Sequence, residues 1–129
     1  MWLLSAVVAA SAAFSSPADA QQSKSSGQSS IGYPSVAAAL GALRAKSNVR
    51  ISVQGGWTIV DDREDRAIWS FTPSNHPAHP AAVKRTVVEK NGAIYIEMNA
   101  LCQASKSECD KLIAEFKELN EQMRRSMRK

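Results

Sequence analysis

The segment KRTVVEKNGAIYIEMNALC, residues 84–102, holds an Asn91-Gly92 pair between two runs rich in β-branched and aromatic side chains. Asparagine and glycine tolerate the positive φ that both central positions of a type I′ turn require, so the pair predicts a tight hairpin. Counting outward sets Glu89 opposite Ile94, Val87 opposite Ile96, Arg85 opposite Met98 and Val83 opposite Ala100, with these side chains on one face. Thr86, Val88, Tyr95 and Glu97 take the other face.

The same count applies upstream. Gly55-Gly56 turns residues 49–54 back onto residues 57–61, and the charged run Asp62-Arg63-Glu64-Asp65 turns that strand into residues 66–72. This register puts Val49, Ile51, Val53, Val60, Trp69 and Phe71 on a side dense in large apolar groups, and Trp57, Ile59 and Ile68 on a mixed side with Ser52 and Ser70. A slip of one residue in either turn would exchange the two sets.

Outside the sheet, Pro34 opens a short helical pattern in which Val36, Ala39, Leu40 and Leu43 form one stripe and Asn48 marks the stop. A longer helix is predicted from Ser105, whose spacing to Glu108 is that of a capping box. Cys109, Leu112, Phe116, Leu119, Met123 and Met127 recur along it at three- and four-residue steps, with Ile113 widening the stripe. The fold class is therefore α+β: a five-stranded antiparallel sheet with an N-terminal and a C-terminal helix, both expected on the dense face.

Three segments organise the chain. Residues 1–20 read as a signal peptide, an apolar run followed by Ala18-Asp19-Ala20 as a small-x-small cleavage site, although no Lys or Arg precedes the run. The run is shorter than the roughly 20 apolar residues of a membrane span, which argues against stable membrane insertion. Residues 21–32, composed mainly of Gln, Ser, Lys and Gly, read as a flexible leader, and residues 33–129 as a single α+β domain. The expected destination is the periplasm or the extracellular medium. Sixteen bases against twelve acids give a formal charge of +4, and removal of Asp19 with the signal peptide raises it by one. The basic end, Arg124, Arg125, Arg128 and Lys129, suits the negative end of a helix dipole. Export and the lack of a nucleic-acid motif disfavour nucleic acid as a partner.

Cys102 and Cys109, at the end of the last strand and in the first turn of the last helix, read as a disulfide in an oxidising compartment. Two cysteines alone cannot complete a structural zinc site. Three prolines in residues 73–80 exclude helix and central strand and predict a stiff surface loop. His76 and His79 in that loop stand before proline and could share a transition-metal ion if further ligands joined them, which makes a metal-binding envelope protein the alternative reading.

With both helices on the dense face, Trp57, Ile59, Ile68, Val88 and Tyr95 would stay uncovered, flanked by Lys84, Lys90 and Glu97. Such a surface suits a protein partner, a second copy of the chain or an envelope polymer. No nucleophile elbow, zinc-protease motif, phosphate loop or dinucleotide fingerprint occurs, and no cofactor is predicted. Asp61, Asp62, Glu64 and Asp65 cluster, but in a turn open to water. The leading expectation is a non-catalytic exported binding protein.

Residues 68–73 (IWSFTP), His76-Pro77-Ala78-His79-Pro80 and Val83-Lys84-Arg85 resemble small exported bacterial proteins of unknown function. That resemblance implies no activity.

Overall fold

The computed structural model describes residues 30–127, so the signal-peptide reading of residues 1–20 and most of the leader lie outside it. Helix α1 spans Val36–Ala45, strands β1 to β5 span Val49–Gln54, Trp57–Asp62, Ala67–Phe71, Ala81–Lys90 and Ala93–Cys102, and helix α2 spans Lys106–Met127. The strands form one antiparallel meander in chain order. This is the predicted α+β arrangement.

Both turns are built as the glycines require. Asn91 and Gly92 have φ of 54° and 79°, and Gly55 and Gly56 of 57° and 83°, so each hairpin has left-handed backbone at both central positions. The resulting register sets Glu89 against Ile94, Ile51 against Val60, and Val60 against Trp69, as counted from the sequence. Ser35 caps α1, its hydroxyl accepting from the Ala38 amide at 3.0 Å. Ser105 caps α2 by accepting from the Glu108 amide at 3.3 Å. Each cap satisfies an amide that the first helical turn cannot.

The two helices lie on opposite faces of the sheet, which corrects the expectation that they share one. Val36, Ala39 and Leu43 of α1 bury against Val60, Ala67, Trp69, Phe71 and Ala82. Leu112, Ile113 and Phe116 of α2 bury against Ala81, Val83, Ala100 and Cys102. Ala82 and Val83 are neighbours in one strand, so their side chains point to opposite sides and the two cores are separate. The physical reason is the size of the strand residues. On the α2 face they are small enough for a helix to settle close, and α2 itself supplies the bulk.

Burying its Leu112, Ile113 and Phe116 contributes about 1.5–3 kcal/mol per side chain before entropy is charged. A Cys102–Cys109 disulfide, with Cα atoms 5.7 Å apart, fastens the end of β5 to the first turn of α2. Closing so short a loop contributes about 2.5 kcal/mol in the chain-entropy picture.

Two segments are more firmly held than the sequence suggested. Ile31, placed in the leader, is buried in the α1 core, and the Ser30 carbonyl accepts from Asn99 Nδ2 at 2.8 Å. The packed chain therefore begins before residue 33. The loop at residues 73–80 is not wholly at the surface either, because Ala78 is fully buried in the α2 core.

Candidate functional site

The five residues expected to form one binding face are divided by the sheet. Trp57, Ile59 and Ile68 share the α2 face, whereas Val88 and Tyr95 belong to the α1 face. The β3–β4 register decides this: it pairs Ser70 with Val83 and Ile68 with Arg85, which leaves Val88 on the side of Trp69 and Lys84. Tyr95 sits opposite Val88 where the β4–β5 hairpin runs past β3, and it is 44% exposed. Lys84 turns to the α1 core, its ammonium 5.3 Å from the Trp69 ring centroid and 3.6 Å from Asp65. Lys90 and Glu97 pair at 3.6 Å beside Tyr95.

Trp57 is half-buried between two rings rather than open. Its ring lies 5.9 Å from Phe116 and 5.2 Å from His76, edge-on to both. Ile59 and Ile68 differ from it: both are only half-buried and belong to neither core, although they lie on central strands. Helix α2 runs over β4 and β5, with contacts to Val83, Arg85, Met98 and Ala100. The α2 face over β1 to β3 therefore forms a ledge. Two rows cross it, Arg50, Asp61, Ile68 and Arg85 in one and Ser52, Ile59 and the buried Ser70 in the next.

Arg85 closes the ledge on the helix side and carries no obvious signal in the sequence. Its guanidinium lies 5.2 Å from the Phe116 ring, and one of its terminal nitrogens donates to Met123 Sδ at 3.2 Å. Its Nε–H is buried without a partner, and no carboxylate pairs with it among the described residues. Burial pushes its pKa below the ordinary arginine value. The stacked ring holds the group in place while leaving its charge uncompensated.

The histidines are engaged within their own loop. His76 Nδ1 accepts from the Ala78 amide at 3.0 Å. His79 Nδ1 lies 2.9 Å from Thr72 Oγ1 and 3.2 Å from the Thr72 carbonyl. A carbonyl can only accept, so the second contact assigns the proton to His79 Nδ1. One nitrogen of each ring is thus committed to loop geometry, and among the described residues no three His, Cys, Asp or Glu side chains gather as a metal site.

The acidic turn is also internally satisfied. Asp62 is 1% exposed and accepts from Lys46 Nζ at 2.7 Å. Burial pushes its carboxyl upward, but the Lys46 hydrogen bond, the Asp65 and Glu64 amides and the lysine charge outweigh that and hold it below its ordinary value. Lys46 is held above its own ordinary value, chiefly by the same hydrogen bond and against the cost of burial.

Hollows also mark the surface of the described residues. One of about 540 Å³ is lined by Asn48, Val49, Arg50, Arg63 and Glu64. Another, about 300 Å³, lies between the hairpin tip and the end of α2, with Ile94, Tyr95, Arg124 and Met127 in its wall. Among the described residues no helix is long and apolar enough to cross a membrane. Set against protein-family models, curated proteins and solved structures, the chain matches none.

Proposed function

We propose that the protein is a non-catalytic binding module, exported to the periplasm or the medium, that engages a protein or an envelope polymer through the ledge formed by Ile59 and Ile68. The observation that carries this reading is the pairing of two apolar side chains outside both cores with an uncompensated guanidinium beside them. Apolar floor and fixed charge together favour a partner that brings an apolar group and an anionic one. The cystine at the β5–α2 corner supports an oxidising destination.

The test is capture from an envelope extract by the immobilised disulfide-bonded domain. Ile68→Glu and Arg85→Met should each lose the captured partner, while Tyr95→Ala, on the opposite face, should keep it. Equal capture by all of these would place the binding surface elsewhere.

A further inference from the structure

The sheet has two edge strands, and they are treated differently. Beside β5 lies the N-terminal segment, with Ser30 bonded to Asn99 and Ile31 buried in the core that also holds Leu101. Among the described residues nothing comparable accompanies β1. Its outer backbone N–H and C=O groups have no hydrogen-bond partner among the described residues. Its sequence VRISVQ contains no proline and no lysine, and its pairing with β2 runs without a bulge over all six residues. Those are the usual means of protecting an edge from another strand. Helix α1 covers β1 only at Val49, leaving Ile51 39% and Val53 71% exposed, the latter more than any other large apolar side chain described.

We infer that β1 pairs antiparallel with β1 of a second copy of this chain, about a two-fold axis normal to the sheet and passing beside Ser52. Such an axis maps each face onto itself, so opposed residues must point to the same side. Centring on Ser52 sets Ile51 against the second copy's Val53, Arg50 against Gln54 and Ser52 against itself. Apolar then meets apolar on the α1 face, polar meets polar on the other, and no two like charges are opposed. Centring on Ile51 would instead drive Val53 against the second copy's Val49, which α1 already covers.

The pairing makes a continuous ten-stranded sheet from two five-stranded ones. It also has a consequence for the opposite face. The two ledges, each reaching from Ile68 and Ile59 to β1, become one floor of six strands, bounded on either side by an α2 helix with its Arg85. The dimer stands on the edge chemistry and does not depend on what the ledge binds.

The test uses the mature, disulfide-bonded domain. In sedimentation velocity the wild type should shift from monomer to dimer with rising concentration. Val53→Lys should remain monomeric with an unchanged melting temperature, because this position lies outside the core. Ser52→Cys should crosslink to itself under mild oxidation and run as a dimer on a non-reducing gel, whereas Ile51→Cys, which faces a different residue, should not. A wild type that stays monomeric at every concentration, or a dimer that survives Val53→Lys, would overturn the inference. Partner capture lost in Ile68→Glu with sedimentation unchanged would separate the ledge from the edge.

Discussion

The two faces of the sheet hold their helices by opposite means. On the α1 face the strands supply the bulk, with Trp69 and Phe71 stacked 6.0 Å apart and Tyr33 tilted against Trp69, beneath a short helix whose innermost residue is Ala39. On the α2 face the strands supply Ala81, Val83 and Ala100, and the helix brings Leu112, Ile113 and Phe116. Packing density demands complementary sizes, not large residues on both sides. Small strand residues in a row are therefore as good a sign of a helix seat as a stripe of aromatics.

The sharpest way to break the comparison is Trp69→Ala. Emptying the largest fully buried side chain should cost about 3–5 kcal/mol, a large share of the 5–15 kcal/mol of a typical domain. Urea denaturation should show the midpoint falling by a corresponding amount.

Ala100→Leu tests the other face. If α2 needs a small seat, the added bulk should cost about 1–3 kcal/mol and push the helix outward. Near-ultraviolet circular dichroism should then change more than the far-ultraviolet signal. An unchanged melting temperature would mean that size complementarity does not position α2.

The smallest expected effect separates the faces by pH, since the Lys46–Asp62 ion pair, with Asp62 buried and Lys46 partly exposed, belongs to the α1 side. Asp62 has its folded pKa lowered, so its contribution is present above its ordinary value of 3.8 and is lost as pH falls below that through the folded value. Lys46 has its pKa raised, so its contribution is present below 10.5 and is lost as pH rises through the folded value. Melting temperatures measured down the acid limb should fall less steeply in Asp62→Asn than in the wild type.

The same comparison explains which parts of the molecule were legible in the sequence. Asn91-Gly92 and Gly55-Gly56 allowed strand partners to be counted, because a two-residue turn leaves no freedom in register. The Ser105 cap and the cystine were equally readable from local chemistry. The β3–β4 register was not, because residues 73–80 form a loop through which no parity can be counted. Alternation alone therefore does not separate Val88 and Tyr95 from Trp57, which lies on the other face. Alternation tells which side chains share a face but not which face a helix will cover. The bulk of the strand residues alone points both helices to one side, because the small residues that seat α2 leave no apolar signal of their own.

Ile31 was missed because a single apolar residue in a Ser- and Gly-rich stretch forms no pattern. Arg85 was missed because an arginine in an alternating strand reads as solvated until the ring of Phe116 is found above it.

The seat of Ile31 carries a further consequence, for the order in which the chain is built. Ile31 packs in a core that includes Ala82 and Leu101, and the Val36 amide at the head of α1 donates to Gln103 Oε1 at 3.1 Å. A nascent chain therefore holds Ile31 and α1 without their full set of partners until the last strand has left the translation machinery. Until then α1 has only part of its final surface to lie against.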